Sequence, residues 1–323
     1  MTPPRPRPVA LIMGPTGAGK TDLALGLAER LPVDIVSVDS AMVYRGMDIG
    51  TGKPAPEVLQ RFPHRLVDIL DPAEPYSAGQ FVRDARAAIE ESHAKGRLPL
   101  LVGGTMLYFR ALRRGLAELP TANAEVRADI DREAARRGWP AMHAELARID
   151  PAAAARIQPG DGQRIQRAIE VYRLSGRTLT ELHAATVVPD PALAFAAYAW
   201  VPGDREKLYA AIAARFDAMM SAGFLTEVEA LHRRHDLHAR LPSIRSVGYR
   251  QLWEHLEGAV SLEQARHDAI IATRHLARRQ LVWLRAENEI EWIDALDRRA
   301  TDTMQHAMAS LCDVVKNVSG TQY

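Results

Sequence analysis

The chain has 323 residues, of which 47% are hydrophobic, enough for a sizeable core and, on length, about two domains. Lys and Arg number 41 against 40 for Asp and Glu, so no global charge points to nucleic acid and any such site must be a local patch. The single cysteine, Cys312, excludes an intrachain disulfide and a cysteine-rich zinc module, and makes a reducing cytosol the expected compartment.

The opening MTPPRPRPV is basic and proline-rich, with no long apolar stretch of the kind a signal peptide or membrane span needs, and reads as a flexible tag. It leads into the apolar run VALIM at 9–13, suited to a buried strand, and then into GPTGAGKT: Gly14, Pro15, Thr16, Gly17, Ala18, Gly19, Lys20 and Thr21. These residues fit the phosphate-cradling pattern G-x-x-x-x-G-K-[ST], and Leu23, Leu27 and Leu31 follow at helical spacing. In a strand, loop and helix of this kind, glycines let backbone N–H groups turn onto a polyphosphate. The helix N-terminus adds positive potential and Lys20 a point charge. Thr21 is placed to meet a magnesium ion.

A second strand is expected over 34–38, ending on Asp39-Ser40, where the carboxyl ends of a doubly wound sheet face the ligand. A third is expected over 65–69. Ser77 and Gln80 form a capping box for a helix running to about Lys95, closed by Gly96. The run LPLLV at 98–102 is a fourth strand, ending on Gly103-Gly104-Thr105. Strands alternating with helices predict an α/β fold, a P-loop-type parallel sheet core over 1–118 and 196–323. Residues 119–195, alanine- and arginine-rich without a convincing strand before about Ala194, read as a helical insertion domain. Asp204 then caps a helix that Gly223 stops, and the remainder reads as mostly helical.

Within the insertion, Ile165, Ala168, Ile169 and Tyr172 form one apolar stripe, with Gln163, Gln166, Arg167 and Glu170 opposite. Periodicity alone reads this equally as a solvated amphipathic helix or as a polar face for bases and phosphates. Toward the C-terminus Arg274, Arg278, Arg279 and Arg285 occur with no intervening acid, and Tyr249 and Trp283 offer possible stacking surfaces. His232, His235 and His238 are spaced so as to spread around a helix, which argues against a metal site.

A phosphate loop alone fits a nucleotide kinase, an ATPase or a GTPase, with Asp39 positioning magnesium and the insertion arginines forming a lid. The wider set of strings resembles the bacterial tRNA dimethylallyltransferase (tRNA isopentenyltransferase) family over nearly the full chain. The strings are GPTGAGKT at 14–21, DSAMVYRGMDIGTGKP at 39–54, GGTMLY at 103–108, QRIQRA at 163–168, RFDAMMSAGF at 215–224, RSVGYRQLW at 245–253 and RRQLVWLR at 278–285. The resemblance implies transfer of a dimethylallyl group from dimethylallyl diphosphate to N6 of the adenosine 3′ of the anticodon, in tRNAs reading codons that begin with U. The phosphate loop then holds the diphosphate that leaves, with Mg2+ as cofactor on Thr21.

Carried over residue by residue, the resemblance makes Asp39 the general base. Lys20 and Arg215 stabilise the leaving group, and Thr105 is a catalytic hydroxyl near the diphosphate and the reacting base. It places the tRNA anticodon stem-loop against Asp39, Ser40, Ala41 and Met42. Further RNA contacts fall on Arg127 and on Gln163, Arg164, Ile165, Gln166 and Arg167 in the insertion. The C-terminal contacts fall on Arg245, Ser246, Val247, Gly248, Tyr249 and Arg250, and on Arg278, Arg279, Gln280, Leu281, Val282, Trp283, Leu284 and Arg285. A cytoplasmic monomer without membrane contact is expected. Two departures stand out: Gly17-Ala18 where the family often has Ala-Ser, and Gly52 where alanine is common. The C-terminal zinc finger of resembling eukaryotic enzymes is also missing, in line with one cysteine. The alternatives predict different behaviour: an adenylate isopentenyltransferase needs no stem-loop grip, a kinase consumes ATP, and a non-catalytic RNA-binding protein tolerates loss of Lys20.

Overall fold

The protein is described from a computed structural model over residues 6–117, 119–185 and 190–319, with side chains through residue 317. The first five residues of the expected tag, and residue 118 at the expected domain boundary, lie outside it. Six strands form one parallel sheet: β1 (Arg7–Met13), β2 (Val33–Val38), β3 (His64–Arg65), β4 (Leu98–Gly103), β5 (Leu193–Val201) and β6 (Glu291–Asp294), in the order β3-β2-β4-β1-β5-β6. The register runs Ile12 beside Val102 on one flank of β1 and Ile12 beside Tyr198 on the other.

Successive side chains of a strand alternate between faces, so a buried parallel sheet needs apolar residues on both. Ala10, Ile12, Ile35, Leu100 and Trp200 pack on one face, with the Lys20–Ala28 and Ala300–Ser319 helices. Val9, Leu11, Met13, Val36 and Leu101 pack on the other, with the Ala78–Ala94 and Met106–Arg114 helices. The continuous apolar runs of β1 and β4 are therefore divided between two layers. The predicted capping box is present: Ser77 Oγ accepts from Gln80 N at 3.2 Å, and Gln80 Oε1 accepts from Ser77 N at 2.8 Å.

Two strand expectations need correction. The third strand is only two residues long, because Leu66 (φ 65°) and Asp68 (φ 56°) take left-handed backbone conformations that end the ladder. The last strand, β6, was not expected; it is short, and alternation is hard to see in EWID with only Ile293 buried. The sheet also resumes at Leu193, inside the expected insertion.

The chain divides into two compact units, Met1–Arg113 with Asp190–Tyr323, and Arg114–Pro189. The second unit is helical and has its own core, including Ile130, Met142, Leu146, Ile165 and Ile169. Beside the sheet of the first unit lies a further helical cluster, in which Phe224, Tyr249, Leu252 and Trp253 pack on Val43, Tyr44 and Met47. Among the described residues no single helix is long and apolar enough to cross a membrane.

Candidate active site

Strands β1, β2 and β4 are neighbours in parallel, so their carboxyl ends bring the Gly14–Gly19 loop, Asp39-Ser40 and Gly104-Thr105 to one edge of the sheet. A cavity of about 470 Å3 opens there. Thr16, Gly17, Ala18, Gly19, Lys20 and Thr21 line it, as do Asp39, Gly104 and Arg215. Gly17 (φ 82°) and Gly19 (φ 77°) hold left-handed conformations that turn the loop, and Gly19 leads into the Lys20–Ala28 helix. Gly14 is required for space: a Cβ there would lie 2.2 Å from the Trp200 carbonyl oxygen. From the same residue of β5, the indole N–H donates to the Ala18 carbonyl at 2.9 Å, so the loop is braced from behind.

Lys20 Nζ donates to the Pro15 carbonyl at 2.7 Å, across the base of the loop. Desolvation holds its ammonium well below the ordinary lysine value, at about 7; Asp39 opposes the shift and Arg215 adds to it. Removal from water is thus the main cause, and a bound diphosphate would oppose it by favouring the charged form. Asp39 Oδ1 accepts from the backbone N–H groups of Ala41 (2.8 Å) and Met42 (3.3 Å), which fixes the carboxylate at the start of the following turn. The Thr105 hydroxyl oxygen accepts the Ser40 N–H at 3.1 Å, and Thr105 N–H donates to the Val38 carbonyl at 3.2 Å. The Thr105 hydroxyl also donates to Ser40 Oγ at 3.5 Å, so both of its partners belong to the residue after Asp39.

Arg215, on the Arg205–Ser221 helix, donates to the Thr51 carbonyl at 3.4 Å. Gly52 lies directly beneath it at φ 68°, and a Cβ there would meet Arg215 Nη2 at 1.9 Å. The departure at Gly52 therefore bears on where the guanidinium sits. Thr21 and Asp22 both line the cavity, and their side chains carry oxygen donors of the hard kind that suit Mg2+. Among the described residues no three His, Cys, Asp or Glu side chains cluster as a metal cage.

Residues 42–287 match the family described as IPP transferase, and residues 7–68 match isopentenyl transferase. A tRNA dimethylallyltransferase of Burkholderia thailandensis is 54% identical over 310 residues, covering 95% of this chain and 96% of that protein. One of Thioalkalivibrio sulfidiphilus is 56% identical over 294 residues, covering 91% and 92%. The chain belongs to the IPP transferase family of tRNA dimethylallyltransferases. As a member it is a prenyl transferase. The crystal structure of the full-length tRNA isopentenylpyrophosphate transferase of Bacillus halodurans has a TM-score of 0.70 at 32% identity, covering 98% of this chain and 100% of that one. A eukaryotic dimethylallyltransferase acting on tRNA shares the fold, with a TM-score of 0.79 at 24% identity over 96% of this chain and 80% of its own.

In this member of the IPP transferase family, the residues carried over as RNA contacts divide by exposure. Ser40, Gln163, Arg164, Arg245, Arg250, Arg278, Arg279, Val282 and Arg285 are exposed. Ala41, Met42, Ser246 and Val247 are half-buried. Ile165, Gly248, Tyr249, Gln280 and Leu284 are buried. Tyr249 is no stacking platform: its ring lies edge-on to Phe224 and its hydroxyl donates to Glu227. Trp283 and Leu281 pack on the sheet-covering layer, with the Arg110 guanidinium 5.6 Å from the Trp283 ring centroid. Arg274, half-buried, stands 5.4 Å from the Tyr209 ring centroid.

In the insertion, Arg127 and Arg167 are both paired with Glu170, a carboxylate with no exposed surface, and Gln166 donates to Asp131 at 2.6 Å. The polar face of that helix is therefore largely tied down within its own unit. Two residues of the first unit, Glu227 and Lys53, escaped the sequence reading, and a third, Gln280, entered it only as an RNA contact. Glu227 accepts from the backbone N–H groups of Asp48, Ile49 and Gly50, and so holds the turn leading to Thr51 and Gly52. Lys53 is buried, donating to Tyr44 O and to Asp48 and Asp68. Gln280 bridges the phosphate loop and Gly104. Its burial was readable in principle, since Ala277, Gln280 and Leu284 recur at helical spacing on one face.

Proposed function

We propose that this enzyme moves the dimethylallyl group of dimethylallyl diphosphate onto N6 of the adenosine 3′ of the anticodon, in tRNAs reading codons that begin with U. The observation that carries the proposal is the single cavity shared by the phosphate loop, Lys20, Arg215 and Asp39, in a chain whose relatives are named for acting on tRNA.

The allylic C–O bond breaks with its electron pair leaving on the diphosphate, and the N6 lone pair forms the new C–N bond. The first demand is to stabilise the negative charge that leaves. Loop N–H groups, the Lys20 ammonium and the Arg215 guanidinium meet it, already oriented before reaction. Thr21, with Asp22 beside it, would hold Mg2+, which when bound neutralises part of the diphosphate charge. The second demand is the N6 proton, which passes to Asp39 as the C–N bond forms. Oδ1 is occupied by two backbone N–H groups, which leaves Oδ2 to receive it. Thr105, by holding Ser40 N–H, keeps that turn at its strand end.

The amine is reached only if the base leaves the stack of the anticodon loop, so the adenosine is extruded into the cavity. The insertion and the exposed arginines at 278, 279 and 285 grip the stem-loop phosphates. In this reading the enzyme works as a cytoplasmic monomer. The deciding assay follows label from prenyl-labelled dimethylallyl diphosphate into an unmodified anticodon stem-loop, with free AMP and ATP as parallel arms. Label in the stem-loop alone is the expected result. Label in AMP, or ATP consumption without label transfer, would overturn the reading.

A further inference from the structure

Gln280 sits on the inner face of the Leu262–Arg285 helix, 8% exposed, and its amide joins two of the turns that frame the cavity. Oε1 accepts the Thr16 backbone N–H at 2.9 Å, and Nε2 donates to the Gly104 carbonyl at 2.9 Å. The amide orientation is forced, since Thr16 presents a donor and Gly104 an acceptor. A Cβ at Gly104 would stand 2.3 Å from Nε2, so the close approach needs glycine at that position. Thr105 follows Gly104, and its hydroxyl accepts the N–H of Ser40, the residue after Asp39. One side chain thus links the diphosphate cradle to the turn that carries the proton acceptor.

Resting on the transfer reaction above, we propose that Gln280 is a positioning residue for that reaction, setting the distance between the departing diphosphate and the amine at Asp39. It is not an RNA contact. Its neighbours Arg278 and Arg279 are exposed and face outward, while the amide is turned inward and both of its ends are engaged by backbone. A misplacement of about 1 Å between reacting groups costs roughly 100-fold in rate, so the link acts on kcat.

Two variants separate this role from packing and from RNA binding. Gln280→Leu keeps the bulk and removes both hydrogen bonds; kcat for label transfer is expected to fall about 10- to 100-fold, with stem-loop Kd within about twofold of wild type. Gln280→Glu keeps the shape, but only the protonated carboxyl both accepts from Thr16 and donates to Gly104. Its kcat relative to wild type is therefore expected to climb about tenfold or more as pH is lowered from about 8 to about 6, since burial raises a carboxyl pKa. A flat ratio, a near-normal Gln280→Leu enzyme, or a loss confined to stem-loop Kd would overturn the proposal. Should Gln280→Leu not fold, the pH ratio of Gln280→Glu decides alone. Wild-type enzyme that transfers no label would sink the assigned reaction instead, and inorganic pyrophosphate binding then decides for Gln280. Weakening of about tenfold in Gln280→Leu is expected there, and unchanged affinity would remove the link.

Discussion

A methyl group at Gly14 would fall 2.2 Å from the Trp200 carbonyl oxygen, a backbone atom of a central strand that has little room to retreat. Gly14→Ala is therefore expected to displace the loop and raise the Kd for pyrophosphate about tenfold or more, read by titration calorimetry. At Asp39 the expected effect lies in turnover. Asp39→Ala should abolish prenyl transfer while leaving stem-loop Kd within about threefold of wild type, and near-normal turnover would remove Asp39 as proton acceptor. Lys20 gives a pH dependence with a definite sign. Its ammonium stands at about 7 in the ligand-free protein, and a bound diphosphate favours the charged form and raises that value. Below pH 7 the lysine is charged both before and after binding, and this contribution is flat. Above pH 7, binding takes up a proton, so affinity declines as pH rises toward the raised value. Calorimetry at pH 8 in buffers of different ionisation enthalpy should show that uptake in wild type and lose most of it in Lys20→Met.

The Leu262–Arg285 helix illustrates how one element serves two sides. Ala277, Gln280 and Leu284 are buried toward the sheet and the phosphate loop, while Arg278, Arg279 and Arg285 face outward without a carboxylate partner among the described residues. Replacing Arg278 and Arg279 by Ala should raise the tRNA KM and reduce the slope of log affinity against log salt by about 1–2. An unchanged slope would take those arginines out of the RNA contact. The spacing of Ala277, Gln280 and Leu284 marked an inner face in principle, but not the two backbone groups that the Gln280 amide would join. The phosphate loop, its strand and its helix were legible because a fixed spacing of glycines and lysine has few other physical uses. The extent of the third strand and the presence of the last were not, since pairing depends on partners distant in sequence and, for the third, on the left-handed residues Leu66 and Asp68. Glu227 was equally invisible: a carboxylate that satisfies the N–H groups of Asp48, Ile49 and Gly50 leaves no periodic trace around position 227.

For the whole molecule, fold class followed from the alternation of strands and helices, and the clustering of residues at strand ends followed from parallel topology. What local pattern could not supply was the exposure of the nominated RNA contacts. Arg127 and Arg167 look free on a helical wheel, yet share one buried glutamate; Tyr249 looks like a stacking ring, yet closes a core. The bracing of the phosphate loop by β5 has a further consequence for synthesis on the ribosome. The loop emerges before the Arg114–Pro189 unit, but the carbonyl and indole of Trp200 that shape it arrive only after that whole unit has been made. A nascent chain ending at residue 185 holds the complete motif without the strand that supports its back. Such a fragment is expected to bind no pyrophosphate, and capture on a pyrophosphate resin should appear only once the chain extends through β5. The enzyme thus stays unable to hold its donor until the segment expected to grip its acceptor has already been translated.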